Sequence, residues 1–167
     1  MGDGEWSQGR LWGHGYSIGS FNQGDAIQGV QFKAELGTDT TVGLAHAAPL
    51  SSTSVIAEVD YVLYFHLYNS IYAYELGTYR AQLPSITSNT QTWQMRVNAN
   101  SRVELVMDGV VVHTFDSPSA TAWSGGTQLY VVTAATNTQS MPNKYDWQWV
   151  DASGAPLGDV WSDPSPN

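Results

Sequence analysis

The dipeptide Asp108-Gly109 sits between two runs suited to β-strands, and it constrains the fold more than any other feature of the chain. Before it, Val103, Leu105 and Met107 alternate with Glu104, Val106 and Asp108; after it comes the run VVVHTF over 110–115. A two-residue hairpin turn that follows the twist of its strands needs positive φ at both central positions, and Asp followed by Gly supplies this at low steric cost. The spacing predicts an antiparallel hairpin, so the rest of the chain has to extend an antiparallel sheet.

It does so repeatedly. In QGVQFKAEL over 28–36, Val30, Phe32, Ala34 and Leu36 point one way and Gln31, Lys33 and Glu35 the other, which predicts a strand with one buried face. Gly37 to Thr40 predicts a turn, and 41–46 a further strand. The run DYVLYFHLY over 60–68 is apolar on both parities and rich in β-branched and aromatic residues, which predicts a central strand covered on both sides. Asn69-Ser70 turns it into 71–76, Gly77 closes that hairpin, and 79–83 predicts a short edge strand. Strands follow over 92–97, 103–107, 110–115, 127–133 and 144–150, the last with Tyr145, Trp147 and Trp149 on one face. About nine to eleven short strands with regular turns, and no helix-period segment, specify an all-β two-sheet antiparallel β-sandwich of the jelly-roll kind. Residues 1–150 are expected to form one such domain. Residues 151–167, rich in Asp, Pro, Gly and Ser, are expected to be a C-terminal tail or linker. The opening Met1-Gly2-Asp3-Gly4 suggests a domain taken from a longer chain.

Composition narrows the function classes. Fifteen acids against six bases give a net charge of −9, which repels phosphate backbones, so no nucleic-acid partner and no membrane insertion are expected. Without cysteine there is no disulfide, zinc–thiolate site or cysteine nucleophile. Seven Trp and nine Tyr are a large aromatic endowment, suited both to pleated surfaces and to ligand faces.

The succession Val30-Gln31-Phe32, Thr41-Val42-Gly43-Leu44, Tyr72-Ala73-Tyr74-Glu75-Leu76-Gly77, Trp93 to Val97, and Arg102 to Val112 through Asp108-Gly109 resembles the concanavalin A-like sandwich superfamily, in its laminin-G-like and SPRY-like members. The resemblance covers roughly residues 28–150 and implies a fold that hosts lectins, hydrolases, lyases and protein-binding modules. Its laminarinase-type hydrolases carry three carboxylates along one strand. Here Glu58 and Asp60 fit the first two positions, but Val62 or Leu63 stands where the third is needed, so the expectation is no enzyme. Laminin-G-like relatives often bind calcium through loop acids; Asp39, Asp108, Asp116 and Asp151 are the candidates, although none lies in a dense oxygen set, and no other cofactor is expected.

The remaining signal is aromatic. Trp123, in AWSGG, lies in a loop context, as do Trp6 and Trp12. Tyr61, Tyr64, Tyr68, Tyr72 and Tyr74 fall on neighbouring strands, and alternation sends part of them away from the core. The candidate ligand-binding residues are therefore Trp123, Tyr72, Tyr74, Glu75, Arg80 and His66, with the Tyr pair, Glu75 and Arg80 expected on one sheet face. The expected role is a non-catalytic carbohydrate-binding or adhesion module of an extracellular or surface protein, its partner a glycan. The alternative is a protein-interaction domain of the SPRY-like kind or a viral or phage receptor-binding domain, with a protein surface as ligand; a polysaccharide-active enzyme ranks third.

Overall fold

The structure, a computed structural model, describes residues 16–22, 24–37, 40–46, 59–66, 68–115, 128–135 and 144–159. Twelve strands and no helix form among them: β1 (Tyr16–Asn22), β2 (Gly29–Ala34), β3 (Thr40–Ala45), β4 (Tyr61–Phe65), β5 (Ile71–Glu75), β6 (Thr78–Leu83), β7 (Thr92–Val97), β8 (Val103–Met107), β9 (Val110–Thr114), β10 (Gln128–Ala135), β11 (Lys144–Val150) and β12 (Pro156–Asp159). They make two six-stranded sheets, in the orders β1-β10-β3-β4-β5-β6 and β12-β11-β2-β7-β8-β9. Every pairing is antiparallel, as the sandwich predicted from the sequence requires. Among the described residues no helix is long and apolar enough to cross a membrane.

The turn chemistry places the strands. Asp108 and Gly109 have φ of 49° and 82°, as the predicted hairpin demands. Leu76 and Gly77 turn β5 into β6 with φ of 45° and 79°. Asn69, at φ 65°, shapes the connection between β4 and β5; its Oδ1 accepts the Gly37 N–H at 2.7 Å, tying that loop to the end of β2.

Two strands lie where the alternation gave no signal. In β1 the register against β10 shifts between Ser17 and Gly19, which interrupts the period of two along the strand. Strand β12 falls inside the stretch 151–167 and pairs with β11, so the second sheet continues to Asp159. The turn-rich residues Asp151 to Gly154 are a hairpin connection. Asp151 Oδ1 accepts from Ser153 N–H at 2.9 Å, Ser153 Oγ at 2.6 Å and Ala155 N–H at 3.0 Å. A register shift also interrupts β11 between Tyr145 and Gln148, with Asp146 at φ 55°. Trp147 and Trp149 both pack on the core, on the one face expected for them.

The core between the sheets is aromatic at its centre. Phe65 of β4 meets Trp93 of β7 edge-on at 5.2 Å, and Phe32 of β2 meets Phe65 at 5.9 Å and Trp147 at 4.9 Å. Phe32, Phe65 and Trp93 are fully buried, and each contributes about 2–3 kcal/mol through transfer from water. This cross-sheet cluster fixes the parity of β4, and hence which of its side chains look outward.

Candidate functional site

With Tyr61, Leu63 and Phe65 facing the core, Tyr64 of β4 faces outward. Tyr72 stands directly opposite it on β5, with the ring centroids 6.0 Å apart, and Tyr74 lies diagonally at 6.3 Å. Tyr79 of the edge strand β6 extends the row, 6.2 Å from Tyr72 and 6.0 Å from Tyr74. At the other end His66 lies 5.7 Å from Tyr64, 6.1 Å from Tyr72 and 5.5 Å from Tyr68. Six rings thus form one connected array across β4, β5 and β6. Tyr68 is 79% exposed and Tyr79 54%, whereas Tyr64, His66, Tyr72 and Tyr74 are half-buried. Gln82, registered beside Tyr72, is exposed and adds an amide to the border of the array.

Tyr79 reaches this face by a bulge. Ala73 pairs with Ala81 but Tyr74 pairs with Tyr79, so Arg80 is an extra residue in β6. Simple alternation would group Tyr79 with Ala81 and Leu83, which pack inward; the bulge reverses it. Tyr79 was therefore not legible as a site residue, and only the edge position of its strand was. Tyr68 is set by its loop: its N–H approaches His66 Nδ1 at 3.4 Å, and His66 N–H donates to the Ser70 carbonyl at 2.8 Å.

The structure brings together His66, Tyr72 and Tyr74 of the expected residues. It separates Glu75 from them, correcting the expectation of a shared face. Glu75 pairs with Tyr61, lies on the core side of β5 and is 7% exposed. Its Oε2 is 2.9 Å from Arg80 Nη2, so this carboxylate neutralises the guanidinium instead of facing a ligand beside the tyrosines. Trp123, Trp6 and Trp12 lie outside the described residues, as does Glu58.

Next to the array the same face carries a second apolar cluster of Ala45, Val59, Val62, Val132 and Ala134, with Tyr64, Tyr74 and Tyr130 against it. Gly43 makes room for it, since a Cβ there would meet the Val59 side chain and the Tyr61 carbonyl. Asp60, next to Val59, is fully buried, and its Oδ2 accepts the His46 N–H at 2.8 Å and lies 2.8 Å from His46 Nδ1.

The outer face of the other sheet is polar. Gln148, Gln31, Gln94, Arg96, Glu104 and Asn98 form one hydrogen-bonded ladder across β11, β2, β7 and β8. The carbonyls of Ser153 and Gly154 close over it, accepting from Arg96 and Gln94 at 2.8 and 2.9 Å. Its donors and acceptors are engaged with one another, as suits a structural network. Among the described residues no group of three or more His, Asp or Glu side chains stands ready to hold a metal ion. Of the calcium candidates, Asp108 accepts the Thr92 N–H at 2.8 Å and Asp151 caps its own turn; Asp39 and Asp116 lie outside the described residues.

No family model and no curated protein sequence matches the chain. Among solved structures it is similar to a carbohydrate binding module, CBM66, from Bacillus subtilis, with a TM-score of 0.40 and 7% identity over 89% of each chain.

Proposed function

We propose that the protein is a non-catalytic carbohydrate-binding module and that the outer face of β4, β5 and β6 is where the glycan lies. The observation that carries this reading is the array of six rings, ending in the exposed Tyr68 and Tyr79. A sugar ring offers apolar C–H faces that stack on such rings and hydroxyls that pair with phenol, imidazole and amide groups. A non-catalytic role is supported at β4, where the glucanase pattern runs into buried Val62 and Leu63 and where Asp60 is held by His46. The concanavalin A-like affiliation and a place outside the cell or on a cell or virion surface belong to the same proposal. Binding to an array of plant, microbial and animal glycans tests it: selective retention that Tyr68→Ala or Tyr79→Ala weakens is expected, and a blank array with folded protein overturns it.

A protein ligand is the second reading. It is favoured by Val110 and Val111, 63% and 44% exposed on the edge strand β9.

A further inference from the structure

The ring geometry carries the reading further, to the form of glycan taken. The proposal rests on the carbohydrate reading above.

Three features of the array bear on its ligand. The first is length. From Tyr68 the rings run to His66, Tyr72 and Tyr79 in steps of 5.5, 6.1 and 6.2 Å, each about the advance of one sugar along an extended chain. Both ends of this path, Tyr68 and Tyr79, are its most exposed members, so neither end is walled by the described residues. The second is tilt. Tyr68 and His66 are inclined at 47°, His66 and Tyr72 at 77°, and Tyr72 and Tyr79 at 59°. Rings so inclined cannot all lie flat on one plane, and so do not match a crystalline polysaccharide surface. They match sugars whose faces turn from one residue to the next. The third is charge. Arg80, the bulge residue next to Tyr79, is paired at 2.9 Å with the inward-lying Glu75. The chain as a whole carries −9, which repels an anionic polysaccharide, and the Arg80 guanidinium at this edge is already neutralised by Glu75.

We infer that the face takes a single, hydrated, twisted chain of a neutral unbranched glycan, along several consecutive sugars, instead of a chain end, a crystal surface or an acidic polysaccharide. The sugars stack in succession, so binding is multivalent along the chain and grows with chain length until the row is filled.

Titration calorimetry with the full chain tests this. The probes are gluco-, xylo-, manno- and N-acetylglucosamine oligosaccharides of one to six residues, in α and β linkage where both exist, together with oligogalacturonides. Depletion onto microcrystalline cellulose and chitin is measured in parallel. In the series that binds, affinity is expected to rise at least tenfold from disaccharide to tetrasaccharide and then level off. Tyr68→Ala should bring the plateau forward by one sugar, and the crystalline solids and oligogalacturonides should retain no protein. Equal affinity for a monosaccharide and a tetrasaccharide overturns the inference in favour of chain-end recognition and leaves the carbohydrate reading standing. Tighter binding to the solids or to oligogalacturonides overturns it likewise. A blank across every probe, with circular dichroism showing folded protein, removes both.

Discussion

The carboxylate of Asp60 is fully buried, and one of its oxygens serves both the backbone N–H and the Nδ1 of His46, each at 2.8 Å. This clamp joins the end of β3 to the start of β4 and fixes how the chain enters the strand that carries Tyr64. A buried acceptor that satisfies two groups is costly to remove, because the fully buried site loses its carboxylate and the His46 N–H its partner, although the exposed His46 ring can turn to water. Asp60→Ala is expected to destabilise the fold by about 2–3 kcal/mol, and Asp60→Asn, which keeps an acceptor oxygen, by about 1 kcal/mol. Urea unfolding at constant m-value checks the order; equal costs would assign the effect to charge and not to the clamp.

Two glycines make contrasting demands. A Cβ on Gly29 would run into the Met95 carbonyl and the Cα of Arg96, backbone atoms of the neighbouring strand that cannot turn aside. A Cβ on Gly154 would meet the ends of the Arg96 and Gln94 side chains, which can move, although Gly154 sits at φ +89°. Gly29→Ala is therefore expected to cost about 3 kcal/mol and to shift β2 against β7. Gly154→Ala should cost about 1–2 kcal/mol, mainly from the left-handed backbone and the displaced guanidinium. Thermal unfolding of both variants gives the comparison, and a larger loss at Gly154 would refute it.

Turn chemistry and parity were the legible part of this fold. Asp108-Gly109 specified its hairpin outright, and the alternation Val30-Phe32-Ala34 specified which face of β2 is buried, because each is a local consequence of backbone sterics or of period two. The irregular strands share one cause. Bulges at Arg80, at Asp146–Trp147 and near Ser17 interrupt the period of two within a strand, and a bulge is chosen by long-range packing, which a local pattern does not encode. Tyr72, Tyr74 and His66 were readable as outward or half-outward residues because β4 and β5 are regular. Tyr79 lies beyond a bulge and was not, and Glu75 was grouped with the tyrosines although its own parity turns it inward.

The hairpin from β11 to β12 is expected to be acid-sensitive. Hydrogen bonds from the Ser153 hydroxyl first, then from the Ala155 and other turn N–H groups, hold the Asp151 carboxyl below its usual value of 3.8. A carboxyl whose pKa is lower folded than unfolded adds stability that is complete above the unfolded value and is lost as pH falls through the folded one. Asp151→Asn should thus be less stable than the parent at pH 7, and the difference should close below about pH 3.8. Thermal midpoints of the two proteins from pH 7 down to pH 2.5 measure this; a difference constant across that range would place the effect in the amide geometry.

The six rings of the outer face differ in exposure, and that difference separates binding from folding. Tyr68 and Tyr79 project into solvent, so Tyr68→Ala and Tyr79→Ala are expected to change stability by less than about 0.5 kcal/mol. Tyr64 is half-buried between Tyr72, Tyr74 and His66 and packs on the Val62 cluster, so Tyr64→Ala should cost about 2–3 kcal/mol. On the carbohydrate reading the stability order inverts for affinity lost per unit of stability lost. Each exposed tyrosine should lower glycan affinity by roughly tenfold, about 1.4 kcal/mol, while leaving the unfolding midpoint in place. Parallel calorimetry and denaturant titration of the three variants test the inversion. Unchanged affinity in both exposed variants would move the glycan off this face. Affinity that falls only where stability falls would make the array a structural cluster that holds β4 to β5 and β6.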